Sequence, residues 1–197
     1  MWASPFRTKD LPLLDKAKTL GFDLLEIPIE EEQDIDYGKA AEAYKRTGLK
    51  ASICAVMGAG RDPSHDDEAI QKGAVSYMKH LIDAAAVIGS PLVVGPLYAA
   101  VGRTWQASPE QHKRGLERCA KNLRQVARYA EEKGITLALE PLNRFETSFI
   151  NLTEQAIELH RMIDSLRVKV MMDTFHANIE EKSLGKAIEL AGPLMVH

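Results

Sequence analysis

The fold of this chain is decided by a short unit of sequence, which is clearest in GITLALE at residues 134–140. A helical pattern runs up to Lys133, Gly134 supplies the left-handed residue that commonly ends a helix, and Ile135 to Leu139 form an apolar strand. Glu140 then places a charge directly after that strand. A carboxylate at the end of a buried strand is costly unless it has a partner or a function, so this position marks a candidate site.

The same order of helix, glycine and strand recurs along the chain. We predict helices at 11–20, 37–47, 68–88, 109–133, 153–166 and 183–190, and strands at 22–27, 49–57, 92–94, 135–139, 168–172 and 194–196. Strands that are apolar on both faces are typical of a parallel sheet covered by helices. The uniform repeat predicts an α/β fold and favours a (β/α)8 TIM barrel over a doubly wound sheet, since no glycine-rich dinucleotide motif follows any strand.

The composition fits one globular domain, or most of a larger one, and makes a small molecule the default partner. The chain has 197 residues and a formal net charge of -3. Its lysines and arginines lie among acidic residues along the predicted helices and not in one block, so the sequence gives no reason to expect nucleic acid as a partner. No apolar run approaches the roughly 20 residues that span a bilayer, and no signal peptide is evident, so we expect no membrane association and a cytoplasmic location. Cys54 and Cys119 lie in apolar patterns, where we expect them to be buried and unpaired.

Acidic and histidine side chains follow two consecutive predicted strands. Glu140 and Glu146 come after one strand, and Asp173 and His176 come after the next. The ends of parallel strands meet at one rim of a barrel, where barrel enzymes keep their sites. Carboxylates and a histidine at that rim indicate a metal site with acid–base chemistry. The competing interpretation is that the acids cap the N-termini of the helices that follow.

Two longer motifs resemble a known family. LEPLNRFE at residues 139–146 and VMMDTFHANIEE at residues 170–181 are similar to the ketose 3-epimerases, which include the D-tagatose and D-psicose (allulose) 3-epimerases of the xylose isomerase-like barrel superfamily. The resemblance covers essentially the whole chain, including LGFDLLEI at 20–27 and GPLY at 95–98. It implies an enzyme of the isomerase class that inverts carbon 3 of a free ketose such as D-tagatose, D-psicose or D-fructose.

The resemblance also implies a role for each candidate residue. Glu140 would be both a metal ligand and one of two acid/base groups, and Asp173 would be a second ligand. Glu146 and His176 would hold substrate hydroxyls, and Trp2 would line the sugar pocket. The implied cofactor is a divalent metal, with Mn²⁺ preferred and Co²⁺ or Mg²⁺ also compatible with carboxylate ligands. Its charge would stabilise the enediolate that forms when the carbon 3 proton is removed.

The family pattern extends past both ends of this sequence. The chain begins at the tail of the first barrel strand, near Trp2, and ends at His197 in the seventh strand. We therefore expect a single domain, residues 1–197, truncated at both ends and lacking the eighth strand with its second catalytic glutamate. His197 matches the first histidine of a His-x-His motif whose second histidine is the usual ligand, so His197 is a possible ligand only. We expect this chain alone to be inactive and the complete protein to form a homodimer or homotetramer.

Other functions stay open at this point. A sugar isomerase or hydroxypyruvate-type isomerase on the same scaffold would use the same acids to move a proton between adjacent carbons. A repair endonuclease would need several histidine ligands and a basic DNA-facing surface, and the sequence has neither. A barrel that binds sugar without chemistry would follow if the complete protein also lacked the eighth-strand glutamate.

Several further residues are assigned without a motif. Glu26 also ends a predicted strand, but we interpret it as structural because no second chemical group accompanies it along the chain. Arg103 and Trp105 follow the strand at 92–94 and are predicted to form part of a lid. The other histidines, which lie on predicted polar loops and helix faces, are expected to be solvated: His65, His80, His112 and His160.

Overall fold

The structure is a computed structural model, and it describes residues 2–197. Its centre is a five-stranded parallel sheet in the order β1-β2-β3-β4-β5, with strands at Leu24–Ile29, Lys50–Ala55, Leu92–Gly95, Thr136–Leu139 and Val168–Val170. Helices α1 to α7 span Leu13–Thr19, Tyr37–Thr47, Glu68–Ile88, Pro109–Lys133, Thr153–Ile163, Thr174–Glu180 and Leu184–Ala191, with 3-10 turns at Thr8–Asp10 and Gly192–Leu194. Parallel strands in sequential order, each separated by a helix, are the arrangement of a (β/α) barrel. The five strands occupy the second to sixth positions of the predicted barrel.

Helices α2, α3 and α4 have the predicted bounds because the sequence supplies signals for both of their ends. Each begins after a side chain that accepts a backbone N–H, namely Asp36, Asp67 and Ser108. Each ends at a glycine in the left-handed conformation, at Gly48, Gly89 and Gly134. Strong local signals at both ends therefore fix these helices before any tertiary contact is considered.

The two ends of the predicted barrel differ from the sequence-based expectation. Within the described chain, residues 2–7 form no strand, so the strand tail expected at Trp2 is coil. The strand expected at 194–196 is reduced to one parallel bridge between Met195 and Val170, because a 3-10 turn occupies Gly192–Leu194. Helix α6 was not predicted, since seven residues are too few to display a helical period.

The core has one layer on each face of the sheet. Alternate strand residues such as Ile53, Val93 and Leu137 are fully buried against the helices. The residues between them point to the barrel interior, where Val94, Ala138 and Met171 form a second, smaller cluster. Cys54 packs against this inner cluster and is only partly buried, whereas Cys119 is buried on the inner side of α4. Both thiols are free, as predicted.

Within residues 2–197, none of the helices combines the length and the apolar character that crossing a bilayer requires.

Candidate metal centre and sugar site

Glu140 is fixed at the carboxyl end of β4 by its own backbone. Its N–H donates to the carbonyl of Gly95 at 3.0 Å, and the hydroxyl of Tyr98 donates to its carbonyl at 2.8 Å. Tyr98 is completely buried and also accepts the N–H of Leu142 at 3.2 Å, so it holds the chain on both sides of Pro141. Tyr98 was noted in the sequence only as part of the motif GPLY. Its role in holding the backbone of Glu140 becomes visible only in the tertiary structure.

The side chain of Glu140 is buried, but its carboxylate oxygens keep some contact with solvent. The residue is 8% exposed, and no donor among residues 2–197 lies within hydrogen-bond distance of its carboxylate oxygens. Burial raises the pKa of Glu140 to about 8, and the negative charges of Asp173, Glu26 and Glu146 act in the same direction. A carboxyl group in this position holds a proton near neutral pH unless a cation offsets its charge.

Asp173 lies at the carboxyl end of the next strand and is the N-cap of α6. Its Oδ1 accepts the N–H of Phe175 at 2.7 Å. The capping interpretation therefore holds for Asp173, although a cap engages only one of the two carboxylate oxygens. It does not hold for Glu140, because the chain after Glu140 continues as coil to α5.

Glu140, Asp173 and His176 form one cluster. Each offers one ligand atom, and the three atoms lie within 4.8 Å of one another. Two carboxylates at this distance fit a hard divalent cation, which favours oxygen ligands. The fold thus brings together Glu140 and Asp173, the two residues that the family resemblance implied as metal ligands.

His176 is oriented as a hydrogen-bond donor and not as a ligand. Its Nδ1 accepts the backbone N–H of Asn143 at 3.2 Å and lies 2.8 Å from the amide nitrogen of the same residue. A ring nitrogen that accepts a backbone N–H carries no proton, so the neutral ring has its proton on Nε2. Nε2 faces the site, 4.0 Å from Oε1 of Glu140. A protonated ring nitrogen can donate to a sugar oxygen but cannot bind a metal.

Glu146 joins the same cluster through Asn143. The side-chain amide of Asn143 donates to Oε1 of Glu146 at 3.0 Å, and its Oδ1 accepts the N–H of Phe145 at 2.9 Å. The side chain of Glu146 is 39% exposed, so most of its hydrogen-bonding capacity is open to a ligand. Asn143 was not singled out in the sequence, although a buried asparagine inside a motif that carries two acids is a usable signal.

Near this cluster, His197 and Glu26 form a pair of their own, and the charges of both act on the pKa of Glu140. His197 Nε2 lies 3.2 Å from Oε2 of Glu26, which also accepts the hydroxyl of Ser52 at 2.7 Å. The hydrogen bond to Glu26 raises the pKa of His197. Glu26 therefore has two polar partners, which its local sequence did not reveal because both are distant along the chain.

Trp2 is not brought to the cluster. Its ring is half exposed and packs edge-on against Phe22 at 5.9 Å, beside the amino end of β1, with Nζ of Lys16 5.4 Å from the ring centre. Glu140 and Asp173 lie at the carboxyl ends of their strands, which is the opposite end of the barrel. The role of Trp2 in a sugar pocket stays a prediction.

The expectation that the remaining histidines are solvated is wrong. All four are partly buried and hydrogen-bonded: His65 to the N–H of Asp67, His80 to the hydroxyl of Tyr37, His112 to the carbonyl of Phe149, and His160 to the carbonyl of Val168. An imidazole ring can bury its apolar body while a nitrogen keeps a partner, and the polar sequence around these residues does not indicate which partner that is.

Known proteins resemble this chain over nearly its whole length. The profile of the xylose isomerase-like TIM barrel family matches residues 14–196. A D-psicose 3-epimerase of Ruminiclostridium cellulolyticum is 33% identical over 93% of this chain, and one of Enterocloster bolteae is 34% identical over 93%. The solved structure of an L-ribulose 3-epimerase superposes with a TM-score of 0.91 at 30% identity, covering 98% of this chain and 65% of that one. A solved D-psicose 3-epimerase with D-tagatose, from Clostridium cellulolyticum H10, gives a TM-score of 0.88 at 30% identity, covering 100% of this chain and 68% of that one.

The chain belongs to the xylose isomerase-like TIM barrel family, in its ketose 3-epimerase branch. The predicted resemblance and the predicted barrel fold are therefore confirmed. The chain spans 64% and 62% of the lengths of the two D-psicose 3-epimerases it matches in sequence.

Proposed function

We propose that this protein is a divalent-metal-dependent epimerase that inverts carbon 3 of a free ketose of the D-psicose, D-tagatose or D-fructose type. The observation that carries the proposal is Glu140, a buried residue whose carboxylate receives no hydrogen bond from residues 2–197 and lies beside Asp173 and His176 at the carboxyl ends of two strands. Relatives named D-psicose 3-epimerase and L-ribulose 3-epimerase support both the reaction and the substrate class.

The donor set fits a divalent cation. Glu140 and Asp173 would hold it through carboxylate oxygens, and a bound cation would offset the charge that raises the pKa of Glu140. When bound, the cation would supply positive charge next to the ketone oxygen of the substrate. We propose Mn²⁺, because oxygen ligands suit it, with Co²⁺ and Mg²⁺ as substitutes.

The side chains around this pair have complementary roles in the proposed reaction. Glu140 would take the proton from carbon 3 on one face of the sugar, because its carboxylate lies in the site and receives no hydrogen bond from residues 2–197 that would compete for the proton. Nε2–H of His176 would donate to a sugar oxygen, and the carboxylate of Glu146 would accept a hydrogen bond from a sugar hydroxyl. The side-chain amide of Asn143 contacts both residues and would hold them in place. Return of a proton on the opposite face requires a second carboxylic acid, which we place in a segment of the complete protein beyond His197.

Other attributes belong to the same proposal. We propose a cytoplasmic enzyme that is a homodimer or homotetramer when complete, with residues 1–197 forming most of one barrel domain. His197 is a lesser candidate ligand, since Glu26 already engages its Nε2.

The test is proton NMR of D-fructose, D-tagatose and D-psicose in D₂O with Mn²⁺ and the protein produced from its complete reading frame. We expect deuterium at carbon 3 together with the carbon 3 epimer. The matched control is Glu140→Gln, which keeps the side-chain volume and removes the base.

The outcomes separate the candidate functions. Deuterium at carbon 1 with aldose formation would replace the epimerase by an isomerase. Absence of exchange with all three sugars would overturn the proposed substrate class.

A further inference from the structure

Arg103 is a buried arginine in the loop after β3. Its side chain is 10% exposed and lies 3.5 Å from Oδ2 of Asp62, whose side chain is 3% exposed. Arg103 also donates to the hydroxyl of Ser64, which in turn donates to Oδ1 of Asp62 at 2.6 Å. These three residues, which we call the Arg103 network, connect the loop after β3 to the loop after β2.

The backbone of Arg103 contacts a third loop, the one after β4 that carries Glu146. Arg103 forms a parallel bridge with Thr147, and its carbonyl accepts the N–H of Ser148 at 2.8 Å. Next to it, the N–H of Gly102 donates to the carbonyl of Glu146 at 2.7 Å. The backbone position of Glu146 is therefore set by a hydrogen bond from the residue that precedes Arg103.

The same side chain packs against an aromatic residue of that third loop. The guanidinium carbon of Arg103 lies 4.6 Å from the ring centre of Phe149, which is 2% exposed. Gly115 of α4 leaves room for this stack, because a Cβ there would lie 3.0 Å from the Phe149 ring. One buried guanidinium thus has an ion pair on one side and a stacked ring on the other.

We propose that Arg103 is a positioning residue that holds Glu146 at the sugar site, by fixing the loop after β4 to the loop after β2 through Asp62. The inference rests on the proposed function, in which Glu146 binds a substrate hydroxyl. Sequence reasoning placed Arg103 in a lid, whereas its burial makes it part of a fixed wall.

The ion pair is suited to this task for a physical reason. The side chain of Glu146 is held by one contact from Asn143, so its placement relies on the backbone that carries it. A planar guanidinium with several donors resists rotation, and its loss would leave Asp62 buried and uncompensated. Small displacements of a substrate-binding group are costly in catalysis.

The experiment uses the complete protein and compares variants of the Arg103 network with a matched control, in the parent and in a Glu146→Gln background. Arg103→Gln combined with Asp62→Asn removes both charges together, so that no buried charge is left unpaired. Arg103→Lys keeps the charge and removes the planar geometry. Arg118→Gln is the matched control. Arg118 binds the same loop through the carbonyl of Ser64 and the carboxylate of Asp66, but it forms no hydrogen bond or ion pair with Glu146.

The first readout is the separation of KM from kcat for the ketose. We expect the double variant to raise KM by about tenfold with a smaller effect on kcat, and Arg118→Gln to leave KM unchanged. In a Glu146→Gln background the same double variant should change KM less than about twofold, because Arg103 acts through Glu146. Equal effects in both backgrounds would overturn the proposal.

The second readout does not depend on activity. Amide hydrogen exchange at residues 146–148 should accelerate in the double variant, while exchange in α2, which has no contact with the network, stays as in the parent. Unchanged exchange at 146–148 would overturn the proposal even if the sugar is turned over. If the parent protein exchanges no sugar proton, the proposed function fails, and the exchange data still decide whether Arg103 holds this loop.

Discussion

His176 and Glu140 face each other across the site, with Nε2 of the histidine 4.0 Å from Oε1 of the glutamate. The histidine carries its proton on Nε2 because Asn143 donates to Nδ1, and no group in the described part of the chain donates to the carboxylate of the glutamate. The gap between them is longer than a hydrogen bond. A sugar oxygen bound beside both side chains would accept from His176 next to the proposed base.

Replacing Glu140 by Gln in the complete protein should abolish turnover and leave the fold intact. Loss of a general base costs about 10² to 10⁴ in rate, and amide and carboxyl groups have nearly the same volume. The measurement is ketose turnover beside far-UV circular dichroism, with Glu117→Gln on the exposed face of α4 as the control for charge. Residual activity above about 1% of the parent, at the low end of that loss, would remove Glu140 from the acid/base role.

The stability of the metal-free protein should fall as the pH rises from about 4.5 to about 8. Because burial raises the pKa of Glu140, the folded state binds this proton more tightly than the unfolded state, and deprotonation within that range favours unfolding. The free energy of unfolding should fall by a few kcal/mol, since each pH unit between the unfolded-state and folded-state pKa values of Glu140 costs about 1.4 kcal/mol.

Urea unfolding in EDTA at several pH values measures this loss. His197, whose pKa is also raised, contributes in the same direction above its unfolded-state pKa, so Glu140→Gln is needed to isolate the glutamate. The variant should have the flatter profile and the higher stability at pH 8. Parallel profiles for parent and variant would contradict the buried, donor-free environment assigned to Glu140.

Two substitutions at Asp173 should separate its cap from its proposed metal ligation. Asp173→Asn keeps an N-cap acceptor for Phe175, so stability should change little while Mn²⁺ affinity falls. Asp173→Ala should lose both and cost about 1 kcal/mol of stability. Asp67→Ala, which removes the equivalent cap of α3, should cost the same stability with no effect on Mn²⁺. Thermal unfolding and Mn²⁺ titration by calorimetry make the comparison, and full Mn²⁺ affinity in Asp173→Asn would leave Asp173 as a cap alone.

Replacing Gly95 by Ala should destabilise the protein and disturb the backbone of Glu140. Gly95 has φ of +124°, and a Cβ there would lie 3.0 Å from the carbonyl oxygen of Ala55. Its own carbonyl accepts the N–H of Glu140. We expect the free energy of unfolding to fall by about 3 kcal/mol, because backbone strain and the close contact act together.

Gly21→Ala is the control for this substitution. Gly21 also has a positive φ, of +88°, but no atom lies within 4 Å of the added Cβ, so the free energy of unfolding should fall by only about 1 to 2 kcal/mol. Equal losses in urea unfolding would mean that the contact with Ala55 has no cost.

The order of elements and the rim that carries the site could be predicted from local sequence signals. Caps such as Asp67 and Ser108 and the glycines that end helices are local signals, so α2, α3 and α4 could be bounded residue by residue. The carboxyl end of each strand followed from the same pattern, and it placed Glu140 and Asp173 side by side because parallel strand ends share one rim.

Tertiary structure alone decided the state and the partners of these groups. The raised pKa of Glu140 comes from burial, and the proton position on His176 comes from a backbone N–H that lies 33 residues away along the chain. Glu26 meets His197, and Arg103 meets Asp62, only after the sheet has curved and its loops have packed. Periodicity and capping report on neighbours within a few residues, whereas desolvation and ion pairing depend on which distant segments exclude water from the same space.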